Sequence, residues 1–574
     1  MKEMKKTLFT LCTVFMLADL NAQSVQEGIN HLYANRYKSA VQVFQKMLAT
    51  NPNLIEATYW LGQAYLDMDE EESARQLYDK ALAANGNAPL IMAGKGHVLL
   101  LVDKKKEEAR QMFESAITIS RTKKGDDPVV LNAIGRASAD GKDGNLEYAV
   151  KILEQALQLA PKNADIALNL GNAYRKKDPG QGGGKAYEMY KLATQINPNF
   201  AYPYVRIAKL FETQKQWDLV LENLNKAVQV DPSFSLAYYE LFFYYFFNQK
   251  YDDATNYLNK YVASRPGEDH MEDDYLNSQL CWATKDWDCA ISKAEAVKAA
   301  MGSKPKPRVF RQLAYSYSGK GDLVSARKNI DEFFLVTKDP PIPGDYELKA
   351  NIYQGGGASC EDIYALYMQG ATADSVLQNK IDFMTKAADF FKTKKCTKQE
   401  ADMRMAIYNT RKNPNLGGLS TLGYLYAQAG EYKMADSLFL VYNLNFPDSI
   451  LGFYWRGRIN YTLDTTMTVS PFFTNMIENY QKTLEIALKD KIRFKTHGMS
   501  ASKALVAYYA NIRSSRDSAL LYVYKGLEID STDAPLKDAK VKLEKTGNSK
   551  PEQKSPAKTG TKPVSSIRKP SDKA

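Results

Sequence analysis

Residues 190–198 read YKLATQINP, residues 224–232 read LNKAVQVDP and residues 258–266 read LNKYVASRP. The three stretches end on Pro198, Pro232 and Pro266, spaced 34 residues apart. Aligned on these prolines, Tyr190, Leu224 and Leu258 share one offset, and Ala193, Ala227 and Tyr261 share another. In each unit apolar residues recur at helical spacing, break, and resume, as two amphipathic helices joined by a turn would. Proline suits the end of such a unit because it cannot continue a helix. A repeat of this length describes an array of units, none of which buries its apolar face alone.

Working outward, Leu61-Gly62, Tyr65, Ala74, Tyr78 and Ala81 place the same residue types within 55–86. Leu422-Gly423, Tyr426, Ala435, Phe439, Tyr442 and Pro447 do so again, as do Leu313-Ala314, Tyr317, Ala326 and Phe333. Leu170-Gly171 with Tyr174, Ala186, Tyr190, Ala193 and Pro198 follows around a glycine-rich insertion, 178–184, read as a flexible turn; Gly28, Ala40, Phe44 and Pro52 mark the first unit. Small residues let the paired helices approach, and large ones fill the space to the next unit. The pattern resembles the tetratricopeptide repeat (TPR). The resemblance implies an all-α, right-handed superhelical solenoid of about 12–13 helix–turn–helix units, in two arrays or one.

The expected organisation is a signal segment at 1–22, an N-terminal array at 23–340, an irregular connection at 341–374, a second array at 375–545 and a tail at 546–574. The connection is read from Pro340-Pro341-Ile342-Pro343-Gly344 and Gly355-Gly356-Gly357, which punctuate the helical pattern; it is either a hinge or a rigid loop. Residues 462–473 read as a further insertion. The tail is rich in Lys, Pro, Ser and Thr, has no apolar periodicity, and is expected to be disordered.

The 574 residues are 44% hydrophobic and 25% charged, which excludes wholesale disorder. The net charge of +10 is partly terminal. The tail holds seven Lys/Arg against two acids and residues 1–22 hold three Lys against two acids, leaving +4 for everything between. That is no nucleic-acid footprint. Lys2, Lys5 and Lys6 precede the apolar stretch Thr7 to Ala18, too short to span a bilayer, and Leu20-Asn21-Ala22 offers cleavage after Ala22. The chain is therefore expected to be exported and periplasmic, of a Gram-negative type. Cys281, Cys289, Cys360 and Cys396 then meet an oxidising compartment. Cys281 and Cys289 flank a helix–helix turn at similar distances and are expected to form a disulfide, with Cys360–Cys396 as the second pair.

The sequence offers no catalytic constellation. The histidines His31, His97, His270 and His497 are scattered, no His-Glu-x-x-His or Cys-x-x-Cys occurs, and the run from Gly180 to Lys185 departs from a phosphate loop at Pro179 and Ala186. The expectation is a non-enzyme without metal or cofactor. The resemblance implies that the first helix of each unit lines a concave groove. Leu236, Tyr239, Phe243 and Phe246 fall on groove positions, with Tyr238, Leu241, Phe242 and Tyr245 as core. Asn172, Tyr202, Arg206 and Lys209 are polar groove candidates, of which Asn172, Arg206 and Lys209 match part of the pattern with which some TPR proteins clamp a peptide carboxylate; Arg308 and Arg311 are further groove candidates. The implied function is a scaffold that binds a protein or extended peptide and assembles an envelope machine for secretion, outer-membrane biogenesis or motility. The alternative is a cell-wall-associated binder or regulator of a wall enzyme. No transmembrane span is expected, and the basic tail is a candidate for peripheral contact with the envelope.

Overall fold

A computed structural model describes residues 25–140, 144–180, 182–302, 306–464 and 471–545. The signal segment and the basic tail lie outside the described residues. Those residues contain 29 helices and, apart from one bridge between Thr122 and Gly125, no strand pairing.

The chain divides into two compact units, meeting between Thr337 and Lys338. The first holds nine helix pairs: α1 (25–33) and α2 (Tyr37–Thr50), α3 (Ile55–Asp67) and α4 (Glu71–Ala84), α5 (Pro89–Leu101) and α6 (Lys106–Ser120), α7 (Pro128–Asp140) and α8 (Leu146–Leu159), α9 (Ala164–Lys177) and α10 (Gly182–Ile196), α11 (Ala201–Thr213) and α12 (Trp217–Val230), α13 (Ser235–Phe247) and α14 (Tyr251–Ala263), α15 (Met271–Ala283) and α16 (Trp287–Ala300), α17 (Pro307–Lys320) and α18 (Leu323–Val336). The second holds α19 (Pro343–Gly355), α20 (Cys360–Thr372), α21 (Leu377–Thr393), α22 (Thr397–Thr410), α23 (Gly418–Gln428), α24 (Tyr432–Asn445), α25 (Ile450–Leu463), α26 (Pro471–Lys489), α27 (Lys495–Asn511), α28 (Arg516–Ile529) and α29 (Ala534–Lys545).

Within a pair, the first helix ends on a residue in the left-handed region: Asn35, Asp69, Lys215, Gln249 and Lys285 have φ of 56°, 58°, 57°, 59° and 64°. The following N–H then reaches back five residues, as from Glu70 to Tyr65 O at 2.9 Å and from Asp286 to Cys281 O at 2.8 Å. This is the Schellman closure, which satisfies orphan carbonyls and reverses the chain tightly. Between pairs an Asx-Pro-x turn does the work. The Asp231 carboxylate accepts the Ser233 N–H across Pro232 at 2.8 Å, and Asn197 accepts from Asn199 at 3.1 Å across Pro198.

The core is a chain of local clusters along the array rather than one centre, as expected where units pack chiefly on their neighbours. Ala40, Ala74, Ala186 and Ala254 are fully buried, and so are the large partners Phe44, Tyr78 and Tyr190. At Gly62 an added Cβ would lie 2.2 Å from the Tyr78 ring, so the close approach of α3 and α4 depends on the absence of a side chain there.

Three expectations need correction. Residues 341–374 are not irregular, since α19 and α20 occupy most of them. Pro343 sits at the helix start, where its missing N–H costs nothing, and Asp345 accepts the Ile342 N–H at 3.0 Å. Gly357, at φ 84°, makes the turn between the two helices, and Ser359 with Asp362 forms a capping box on α20. Helices α1 to α28 thus make fourteen pairs, close to the expected count of about 12–13. The glycine run is also not simply a turn: Gly182 to Gly184 open α10, with the Gly182 N–H on Asp178 O at 2.8 Å. The expected insertion at 462–473 is shorter than read, because α25 runs to Leu463 and α26 starts at Pro471; residues 465–470 lie outside the described residues.

Candidate functional site

In the first unit the first helices of successive pairs pack side by side, α3 on α5, α5 on α7, α7 on α9, α11 on α13 and α15 on α17. The ninth residues of α3, α5, α7 and α9 are Gln63, His97, Arg136 and Asn172. Each follows a glycine, Gly62, Gly96, Gly135 and Gly171, that lets its helix lie close to the second helix of its pair. The stacking brings three of these polar side chains together. Gln63 Oε1 accepts from Arg136 at 2.7 Å and lies 3.0 Å from His97 Nδ1. Gln63 Nε2 donates to the Tyr78 hydroxyl at 2.9 Å, and Tyr78 donates to Tyr59 O at 2.7 Å. The other His97 nitrogen faces Asp140 at 3.2 Å.

The arrangement surrounds a cavity of about 290 Å³ lined by sixteen residues from α1 to α11, among them Tyr33, Trp60, Asp67, His97, Arg136, Asp140, Asn172, Lys176, Tyr202 and Arg206. Arg136 lies 4.3 Å over the Trp60 ring and 5.6 Å from Tyr59. Arg206 lies 5.8 Å from the Tyr202 ring and 6.0 Å from Tyr190. Lys176 is engaged by Ala139 O at 2.8 Å and Asp140 at 3.4 Å. The hydrogen bond from His97 holds the Asp140 carboxyl well below its usual range. Asp67 opens onto the cavity, and the surrounding protein mass pushes its carboxyl up to about 6.

One wall of the cavity comes from the N-terminal pair, which docks on helices far along the chain. Tyr33 donates its hydroxyl to Asp165 and stacks on Tyr202 at 5.0 Å. Ser235 donates to Ala34 O, and Arg36 donates to Ser233 O at 3.1 Å. Glu268 is buried against the start of α2.

Of the residues nominated from sequence, Asn172, Tyr202 and Arg206 line this cavity and come together there. Lys209 does not join them, being committed to Glu212 at 2.6 Å and Glu240 at 3.1 Å. Arg308 pairs with Glu272 and lies 4.4 Å over Tyr275, and Arg311 lies 5.6 Å from the Phe333 ring. Leu236, Tyr239, Phe243 and Phe246 are half-buried on α13 and pack on its core cluster. Tyr239 meets Phe243 at 4.9 Å and Tyr261 at 5.4 Å, while Phe247, one residue beyond, is 72% exposed. The Tyr239 hydroxyl is pushed up to about 12 by burial. Sequence reasoning missed Gln63, His97, Arg136 and Asp140. The signal that marks the first three is their shared offset, one residue after the small residue of the first helix.

The four cysteines fall into two pairs. Cys281 and Cys289 have sulfurs 2.02 Å and Cα atoms 5.8 Å apart; for Cys360 and Cys396 the values are 1.95 Å and 6.0 Å. Among the described residues no cluster of three His, Cys, Asp or Glu is placed to hold a metal ion, and no helix is long and apolar enough to cross a membrane.

Residues 31–94 match the tetratricopeptide repeat family. Similar solved structures include yeast Tom70, at 13% identity with 72% of this chain and 96% of that one covered and a TM-score of 0.35. Cut9 in its complex with Hcn1 covers 92% of this chain and 98% of its own at 12% identity and a TM-score of 0.33. A TPR protein of Parabacteroides merdae covers 44% of this chain and 95% of its own at 16% identity and a TM-score of 0.36. A human curated relative, protein O-mannosyl-transferase TMTC1, is 25% identical over 214 residues; the match spans 36% of this chain and 22% of that protein. Residues 31–94 thus match the tetratricopeptide repeat, and the described residues form an all-helical array of helix pairs.

Proposed function

We infer that this chain is a non-enzymatic scaffold that binds a protein or extended peptide along the inner helices of its first unit. The observation that carries this reading is the side-by-side packing of first helices, from α3 through α9, α11 on α13 and α15 on α17, with half-buried aromatics on α13 and charged side chains on α9, α11 and α17. Aromatic and arginine side chains are the residue types that concentrate binding energy at interfaces. The N-terminal Lys-rich, apolar segment supports export to the periplasm with cleavage after Ala22, and an even number of paired cysteines suits that compartment. There the scaffold assembles an envelope machine of the secretion, outer-membrane biogenesis or motility kind. The basic tail adds peripheral contact with anionic surfaces, at ~1 kcal/mol per Lys or Arg near such a surface.

The second reading is a binder of cell-wall material or a regulator of a wall enzyme. The polar, aromatic-lined cavity favours it. Affinity capture from the envelope fraction separates the two. Wild type and an Arg308→Glu variant are compared by mass spectrometry. The scaffold reading expects stoichiometric partners of one machine that are lost in the variant. Capture of wall enzymes alone supports the second reading, and capture unaffected by the variant removes α17 from the interface.

A further inference from the structure

The cavity between α1 and α11 has unspent chemistry. Its volume of about 290 Å³ stands at the lower edge of the roughly 300–1,000 Å³ of small-molecule sites. Only Leu32 and Ala139 bring aliphatic or methyl surface to it; the rest of the lining is aromatic rings, carboxamides and ionisable chains. Arg206 Nε is buried without a hydrogen-bond partner. Asn172 Oδ1 accepts from Tyr190 at 2.9 Å, and Asn35 Oδ1 from Tyr37 at 3.0 Å, which leaves both amide NH₂ groups for a ligand. Asp67 supplies an exposed carboxylate.

Charge and hydrogen-bonding capacity narrow the ligand. Arg136, Lys176 and Arg206 carry three permanent positive charges against the carboxylates Asp67 and Asp140, so a single negative group balances the site. A ligand with several carboxylates would press against Asp67 and Asp140. Hydroxyl groups would not, because a hydroxyl donates to a carboxylate and accepts from an amide or guanidinium at once. Tyr202, stacked on Tyr33, offers a ring face for apolar C–H surface.

We propose that this cavity binds a uronic-acid-type sugar, with its single carboxylate on Arg206, its hydroxyls shared among Asp67, Asn35 and Asn172, and its ring against Tyr202. Because Tyr33, Asn35 and Tyr37 come from the docked N-terminal pair, the site is complete only when that pair is seated. The proposal goes beyond partner binding on the inner helices. It is measured without any protein partner, so either reading can fail alone.

The test is calorimetric titration of the full chain with D-glucuronate and D-galacturonate, with D-glucose and D-galactose as neutral matches and acetyl-diglutamate as an acidic peptide. Saturable binding of a uronate is expected, with the neutral sugar weaker by about tenfold or more. Arg206→Gln should weaken uronate binding by about tenfold while changing the neutral sugar little. Asp67→Asn should weaken the uronate and strengthen the peptide, because it replaces one hydroxyl-accepting carboxylate oxygen by an NH₂ that only donates and removes a repelling charge. Asn172→Ala, which removes an uncharged side chain, is the second variant should Arg206→Gln lose its native circular dichroism, and it too should weaken the uronate. The proposal is overturned if neither uronate binds up to about 10 mM. It is equally overturned if acetyl-diglutamate binds as tightly as the uronates in wild type, which would make the cavity a peptide-carboxylate site.

Discussion

The Glu268 carboxylate accepts both the backbone N–H of Ser39, at 2.9 Å, and its hydroxyl, at 2.7 Å, across 229 residues of chain. It also accepts the Lys38 N–H at 2.9 Å. The N-cap of α2, Arg36, makes no side-chain capping bond of its own, so Glu268 caps the helix from a distant repeat and adds negative charge at the favourable end of its dipole. Glu268→Ala should therefore cost about 1–2 kcal/mol, concentrated at the N-terminal pair. Hydrogen exchange should show faster amides at 37–41 with little change in α15 to α18. Uniform acceleration across the unit would mean that Glu268 supports the fold globally instead.

The same docking should weaken in acid. Burial, and then the charge of Arg36, lower the His31 pKa, against opposing pulls from Glu27, Glu268 and Asp231. The docked pair thus holds fewer protons on His31 than the free chain, whose imidazole titrates near 6.5. Its contribution is complete above about 6.5 and declines as pH falls from there toward the lower docked-state value. Urea midpoints at neutral and mildly acidic pH should fall in wild type and fall less in His31→Gln. Equal slopes in the two proteins would exclude His31 as the cause.

Two glycines separate close packing from open space. At Gly62 a new Cβ meets Tyr78, which is fully buried and held by hydrogen bonds to Tyr59 and Gln63, so the ring has nowhere to move. Gly62→Ala should destabilise the first unit by about 1–3 kcal/mol. Gly183, within α10, has nothing within 4 Å of the same atom, and Gly183→Ala should stabilise by about 0.5–1 kcal/mol. Thermal midpoints moving in the same direction would contradict this contrast.

Protein recovered from an oxidising compartment should carry both cysteine pairs as disulfides. Sequence separations of 8 and 36 residues correspond to about 2.5 and about 4 kcal/mol in the chain-entropy account. Non-reducing peptide mapping reads the pairing directly, and free thiols at both Cys281 and Cys289 would refute the first bond.

The repeat was legible because its packing rules are local. Ala74 beside Tyr78, or Ala186 beside Tyr190, records in one chain segment how closely two helices approach. The pair α19–α20 was illegible for a related reason. Pro343 and Gly355 to Gly357 look like breakers in a list of residues, yet stand at a helix start and in an inter-helix turn, where such residues belong. Asn172 and Arg206 were legible as polar groove residues. Gln63, His97 and Arg136 share a repeat offset, but their convergence depends on stacked helices. The far wall depends on Tyr33 meeting Asp165 and Tyr202, contacts between residues more than a hundred positions apart that no short-range pattern encodes.

The central claim, that a partner lies on the inner helices of the first unit, is tested most directly by site-specific photocrosslinking in cells. A photoreactive residue is placed at Asn172, at Arg308 or at Val324, the last being 84% exposed on a second helix. Crosslinks from Asn172 and Arg308 to one common protein, with none from Val324, are the predicted result. Crosslinking from Val324 with silence at the two inner positions would contradict the account.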